Sequence, residues 1–136
     1  MAYQPRIVDL ELTRQLKAMG AVVLEGPKAV GKTETARQQA TSEVHLDSDL
    51  AARDAAEIDP ALILAGSTPR LIDEWQFVPE VWNRVRREVD DRQVPGQFIL
   101  TGSAAPSDDV TRHTGAGRMA RVKLRPMTLF EVGRST

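Results

Sequence analysis

The chain has 136 residues, 41% of them hydrophobic and 27% charged, a composition typical of one soluble globular domain and not of a disordered chain. Its net charge of −1 gives no support for binding nucleic acid or membranes, although a local basic patch is compatible with it. The chain lacks cysteine, a signal-like N-terminus and any membrane-length apolar run, which excludes disulfide chemistry and indicates a cytoplasmic protein.

Hydrophobic periodicity predicts alternating helices and strands in the first half of the chain. Residues 7–19 have helical spacing and precede Gly20, a helix stop signal. Residues 21–24 form a continuous apolar run, typical of a strand that is buried on both faces. A helix is predicted over residues 32–40 and a half-exposed strand over residues 43–47.

The alternation continues through the second half. A helical region reaches residue 65 with an interruption at Pro60, and residues 71–72 and 98–100 form two more buried strands. Between them lies an apolar stripe at helical spacing, formed by Val78, Val81, Trp82, Val85 and Val89. Residues 119–124 alternate, as edge strands do. The pattern predicts an α/β fold with a mostly parallel sheet, three continuous strands in its middle and two alternating strands at its edges.

Residues 26–33 match the phosphate-binding pattern G-x-x-x-x-G-K-[ST] in full. Gly26 and Gly31 permit backbone angles that turn amide groups toward phosphate oxygens, and the following helix directs its positive end at the same anion. We expect Lys32 to reach the β- and γ-phosphates of ATP and the hydroxyl of Thr33 to ligate Mg²⁺. A chance glycine-rich turn is the alternative, but the motif lies between a strand and a helix, as its function requires. The predicted nucleotide-binding residues are Gly26, Pro27, Lys28, Ala29, Val30, Gly31, Lys32, Thr33 and Glu34.

Two carboxylates follow the second buried strand. Asp73 is suited to hold Mg²⁺ or its bound water, and Glu74 is suited to orient the water that attacks the γ-phosphate and to accept its proton. The alternative is an ordinary strand end with Asp73 as a helix cap. The acidic pair favours ATP hydrolysis over nucleotide kinases, which have less need of a water-activating Glu. GTPases are disfavoured because no N-K-x-D segment is present.

Other polar residues close the remaining strands. Thr101 and Ser103 end the third buried strand, where either hydroxyl is placed to contact the γ-phosphate or the attacking water, although turn chemistry also explains Thr-Gly-Ser. His45 and Asp47 end the half-exposed strand; Asp47 is predicted to cap a helix, and the two make no metal site without further ligands. Gln76 follows the acidic pair closely enough to position it.

These motifs resemble the prokaryotic AAA-type ATPases, in which an ATPase core precedes a C-terminal domain of unknown function. The resemblance is carried by residues 25–33, 71–76, 99–103, 115–118 and 125–131. It implies a P-loop NTPase three-layer sandwich, with a five-stranded sheet, helices on both faces and the phosphate-loop strand beside the Thr101 strand. Lys28 departs from the Arg that relatives often carry. The helical lid is absent, so we expect residues 1–136 to be an ATPase core truncated at its C-terminus.

Arg118 lies directly before the last strand, at the edge of the sheet. We expect it to be too far from its own chain's phosphates and to project toward a neighbouring subunit, where it would stabilise charge on the γ-phosphate in a homo-oligomer. The alternative is a surface arginine paired with an acid such as Glu131.

Three functions remain open on the sequence. The leading hypothesis is an ATP hydrolase, the second a nucleotide-binding switch with negligible turnover, and the third a phosphotransferase. Glu74 separates the first two, because a switch has little need of a catalytic base.

Overall fold

Parallel strands form the centre of the fold in the computed structural model, which describes residues 7–26, 31–102 and 119–123. The strands are β1 (Ala21–Glu25), β2 (Ser42–His45), β3 (Arg70–Asp73), β4 (Phe98–Gly102) and β5 (Met119–Lys123). The helices are α1 (Ile7–Ala18), α2 (Lys32–Arg37), α3 (Leu50–Ile58) and α4 (Glu80–Arg92), with short 3₁₀ helices at Pro60–Ile63 and Trp75–Phe77.

The strand order is β2-β3-β4-β1-β5, and every pairing is parallel. The three continuous apolar strands therefore occupy the middle and the two alternating strands the edges, as the sequence pattern predicts. The phosphate-loop strand β1 pairs with β4, with Leu24 opposite Thr101. The α/β architecture, the two edge strands and the pairing of the phosphate-loop strand with the Thr101 strand are confirmed.

Successive side chains of the central strands point to opposite faces of the sheet, and each face carries its own apolar cluster. Val22, Leu71 and Ile99 pack with Leu12 of α1 and with Ala36 of α2. On the other face, the cluster joins strand residues to α3, α4 and the 3₁₀ helices; its members include Val23, Ile72, Leu100, Ala56, Trp75, Trp82, Val85 and Val89. Helices on both faces produce the three-layer arrangement that the resemblance implies.

Some predicted boundaries differ from the structure. Helix α2 ends at Arg37, because the backbone amides of Gln39 and Ala40 both bond to the carbonyl of Ala36 and tighten the chain into a turn. Asp47 does not cap α3. Asp49 is the N-cap, and its side chain accepts a hydrogen bond from the amide of Ala52 at 3.1 Å.

The long helical region divides at the predicted proline. Pro60 begins a 3₁₀ helix whose N-cap Asp59 accepts from the amide of Ala61 at 3.1 Å, since proline cannot donate the bond that would continue α3. Leu124 and the helix start predicted at residues 128–131 lie outside the described residues. Within the described ranges, none of the helices combines the length and apolar character that a membrane crossing needs.

Candidate nucleotide-binding site

The sequence-predicted site residues that the structure describes meet at one end of the sheet. The carboxyl ends of parallel strands lie at the same edge, which is where ligands bind in open α/β sheets. Gly26 follows β1, Asp73 ends β3 and Thr101 lies next to the end of β4. Pro27, Lys28, Ala29, Val30, Ser103 and Arg118 lie outside the described residues.

The second half of the phosphate loop enters α2 through a left-handed residue. Gly31 has φ 85° and ψ 24°, a conformation that glycine adopts without the penalty a side chain would bring. Lys32 follows on the first turn of α2 and is buried, with 5% of its surface exposed. Thr33 is half-buried, whereas Glu34 is exposed on the same turn.

Asp73 is the centre of a hydrogen-bond network at the end of β3. Its Oδ1 accepts from the hydroxyl of Thr33 at 2.8 Å and from the hydroxyl of Thr101 in a short contact. Its Oδ2 lies 3.0 Å from Nδ1 of His45. Because Asp73 is only 6% exposed, these partners satisfy a carboxylate that would otherwise be costly to bury.

Glu74 adopts an unusual backbone conformation beside this network. It has φ 58° and ψ 53°, in the left-handed region that non-glycine residues rarely occupy and that clusters at functional sites. Its amide donates to Oγ1 of Thr101 at 3.3 Å, and Nε2 of Gln76 donates to its Oε1 at 2.6 Å. Gly102 makes room for this arrangement, since a Cβ there would lie 2.7 Å from Oε1 of Gln76 and 3.0 Å from Nε1 of Trp75.

His45 joins the network to the surface of α2. Its Nε2 lies 2.5 Å from Oε1 of Glu43, which also accepts from Nη2 of Arg37 at 2.9 Å. Burial lowers the pKa of His45, but its hydrogen bonds to Glu43 and Asp73 outweigh that cost, so the pKa is raised. Hydrogen bonds from Arg37 and His45 hold the pKa of Glu43 below its ordinary value.

The donor chemistry at Asp73 fits Mg²⁺. This ion prefers oxygen ligands and is usually held by one or two protein groups together with substrate phosphates and water. The hydroxyl of Thr33 and the carboxylate of Asp73 are such donors, 2.8 Å apart and next to the phosphate loop. His45, Asp47 and Asp73 also offer ligand atoms within 4.8 Å of one another. Asp73 thus supplies the third group that the sequence could not place beside His45 and Asp47, but its Oδ2 is engaged by the imidazole, and we assign no second ion there.

Comparison with known proteins identifies the family of the chain. The family model described as AAA domain matches residues 19–133. The chain belongs to the AAA domain family. Two relatives, the uncharacterised proteins Mb2031c of Mycobacterium bovis and Rv2008c of Mycobacterium tuberculosis, are each 32% identical to it over 139 residues, covering 99% of this chain. The chain spans about a third, 32%, of the length of each relative.

Membership confirms the resemblance to AAA-type P-loop ATPases and implies an ATPase-like, nucleotide-binding domain. The roles of single residues in this AAA domain go beyond that membership. Two features of the site are not predicted from the sequence. One is the contact between the imidazole of His45 and Asp73, and the other is the left-handed backbone conformation of Glu74. The first had a signal, since both residues end predicted strands; nothing in the sequence indicated the second.

Proposed function

We propose that this AAA domain binds Mg·ATP at the carboxyl end of its sheet and hydrolyses the bond between the β- and γ-phosphates. The observation that carries the proposal is the buried acidic pair, Asp73 and Glu74, adjacent to the phosphate loop and tied to it through Thr33. A carboxylate pair at this place suits hydrolysis, because one acid is needed at the metal and the other at the attacking water.

The phosphate loop would supply most of the binding. Backbone N–H groups of residues 26–31, apart from Pro27, which has none, would surround the phosphate oxygens, with Gly31 in the left-handed conformation that the turn into α2 requires. Lys32 would place its ammonium against the β- and γ-phosphates. Bound Mg²⁺ would neutralise charge that develops on the phosphates, held by the hydroxyl of Thr33 and, directly or through water, by Asp73.

The chemical step would use Glu74. Its carboxylate would orient a water molecule in line with the bond to the leaving ADP and accept one proton as the water oxygen bonds to the γ-phosphorus. Thr101 would hold the acidic pair, because its hydroxyl contacts Oδ1 of Asp73 and accepts the amide of Glu74. We retain a role for Ser103 at the γ-phosphate as a proposal from the sequence alone.

The substitution Glu74→Gln tests the proposal, since an amide keeps the shape of the carboxylate but cannot accept the proton. We expect ATP affinity to be retained and steady-state phosphate release to fall about 10²-fold or more. Glu80→Gln makes the same chemical change at an exposed residue of α4 and should leave phosphate release unchanged. Equal turnover by Glu74→Gln and the parent, after removal of contaminating ATPase, would show that Glu74 is not the base.

One observation favours the alternative function, a nucleotide-binding switch with negligible turnover. Glu74 is 7% exposed and its Oε1 accepts from Gln76, so burial and this contact both restrict the access of an attacking water to the carboxylate. If the domain is a switch, Glu74→Gln and the parent should bind Mg·ATP with equal affinity, and neither should release phosphate.

Arg118 remains a proposed contributor across a homo-oligomer interface. If it acts on a neighbouring subunit's γ-phosphate, hydrolysis should rise faster than linearly with protein concentration, and Arg118→Ala should abolish that rise without changing ATP affinity. Mixing Arg118→Ala with Glu74→Gln should restore some activity, since each supplies what the other lacks. Failure of co-assembled mixtures would favour a surface arginine.

We place this function in the cytoplasm. The net charge gives no support for a nucleic-acid partner, and measuring phosphate release with and without DNA would test for one.

A further inference from the structure

The imidazole of His45 and the carboxylate of Asp73 are brought together by strand register. His45 is the last residue of β2 and Asp73 the last residue of β3, and the two are paired across the parallel ladder. Nδ1 of His45 lies 3.0 Å from Oδ2 of Asp73, with the two side chains 25% and 8% exposed. The contact is therefore set by the backbone of the sheet and is largely shielded from water.

This contact controls the one degree of freedom that Asp73 would otherwise keep. The terminal torsion of an aspartate is broad, so a carboxylate held through one oxygen can still rotate. Thr33 and Thr101 both donate to Oδ1, whereas His45 engages Oδ2. With both oxygens engaged, the carboxylate plane is fixed and Oδ1 faces the hydroxyl proposed to ligate Mg²⁺.

The ring of His45 is itself held from its other side. Glu43 lies 2.5 Å from Nε2, and Arg37, in the last turn of α2, donates to Glu43 at 2.9 Å. Helix α2 also carries Thr33 in its first turn. A continuous chain of polar contacts thus runs from one end of the phosphate-loop helix, through β2, back to Asp73 and Thr33.

We propose that His45 is a positioning residue, which orients the carboxylate of Asp73 for the divalent cation that accompanies the nucleotide. Partners of this kind fix the geometry of metal ligands, and their loss typically costs 10- to 100-fold in metal affinity. The proposal rests on the proposed Mg²⁺ site but not on turnover, because it concerns binding of the ion.

The test measures Mn²⁺ binding in the presence of ADP by electron paramagnetic resonance, together with ADP binding in the presence of EDTA. His45→Ala should weaken Mn²⁺ binding about 10-fold or more and leave metal-free ADP affinity unchanged. His45→Asn places an amide donor near the position of Nδ1 and should restore most of the lost affinity. His45→Gln places its donor nearer Nε2, toward Glu43, and should not.

Glu80→Gln is the control, since Glu80 is an exposed residue of α4 and lies outside the chain of contacts that leads through His45 to Asp73. Its Mn²⁺ affinity should stay within about twofold of the parent's, far from the loss typical of a ligand's partner. Unchanged or tighter Mn²⁺ binding in His45→Ala would overturn the positioning role, as would rescue by Gln and not by Asn. If His45→Ala does not fold, the comparison of Asn with Gln still decides. A parent whose ADP complex binds no Mn²⁺ would instead sink the proposed metal site.

Discussion

The interior of the sheet and its carboxyl end are both buried, but different forces hold them. In the interior, Val22, Ile72 and Leu100 are 0% exposed and contact other apolar side chains. At the carboxyl end, Asp73 and Thr101 are buried almost as deeply, at 6% and 0% exposure, yet each is held by directed hydrogen bonds. Burial of apolar side chains stabilises the interior of the sheet. At the carboxyl end, burial of polar groups is unfavourable unless hydrogen bonds compensate for the lost hydration.

This difference separates stability from ligand binding. Apolar contacts in the interior are non-directional and numerous, so their loss should lower the free energy of unfolding. At the carboxyl end, the hydrogen bonds of the buried polar groups largely offset the free-energy cost of removing these groups from water, so they add little net stability. Pre-organised polar groups of that kind are a common feature of functional sites. Substitutions in the two regions should therefore move different measurements.

The largest expected effect is in the interior, at Trp82. This residue is 1% exposed, and its ring centroid lies 5.0 Å from that of Trp75. Trp82→Ala should destabilise the domain by about 3–5 kcal/mol, which corresponds to a fall in Tm of roughly 10 °C or more in thermal unfolding. Leu62→Ala truncates an apolar residue that is 57% exposed and should change stability by less than about 0.5 kcal/mol. Equal Tm values for the two variants would contradict the assignment of the core.

A smaller effect, of a different kind, is expected at Lys32. Lys32→Ala should weaken binding of a non-hydrolysable Mg·ATP analogue tenfold or more, which corresponds to about 1.4 kcal/mol, because the charge-assisted contact to the phosphates is lost. Lys17→Ala, at an exposed position in the last turn of α1, is the matched control and should bind as the parent does. Calorimetric titration gives both affinities. Parental affinity in a folded Lys32→Ala variant would refute nucleotide binding at this loop.

The apolar strands and the phosphate loop are the parts of the molecule that the sequence predicts well. Residues 21–24, 71–72 and 98–100 were recognisable as buried strands because a sheet covered on both faces demands continuous apolar runs. The phosphate loop was recognisable because its backbone geometry requires Gly31 at one fixed place. Both are local requirements, and a local pattern is enough to reveal them.

The contacts that were missed depend on tertiary structure. The pairing of His45 with Asp73 requires β2 and β3 to be neighbours, and residue spacing alone does not give that order. The left-handed conformation of Glu74 runs against the preference of glutamate. It is accompanied by the bond from its amide to Thr101 and by the close approach of Gln76 to Gly102, residues distant in sequence.

The smallest expected effect is at Asp49, an acidic residue that follows β2 near the carboxyl end of the sheet. Its role is to stabilise helix α3, so it tests whether stability and ligand binding are separate there. Asp49 accepts from the amide of Ala52 at 3.1 Å as the N-cap of α3, and both Asp49 and Asp47 are exposed. Asp49→Ala should cost about 1 kcal/mol, a fall in Tm of roughly 3–5 °C. It should leave affinity for the Mg·ATP analogue unchanged, because the hydrogen bond that the Asp49 carboxylate makes in the described part of the chain goes to the backbone amide of Ala52.

Asp47→Ala is the matched control for this prediction, since it removes the same side chain two residues earlier. Asp47 does not cap the helix, and the hydrogen bond that Arg53 donates there goes to the backbone carbonyl, which alanine retains. Its unfolding free energy should stay within about 0.5 kcal/mol of the parent's. A larger loss at Asp47 than at Asp49 would return the cap to the residue that the sequence pattern first indicated. Weaker nucleotide binding in Asp49→Ala would show instead that α3 is coupled to the site, and the separation between stability and binding would then hold only for the central strands.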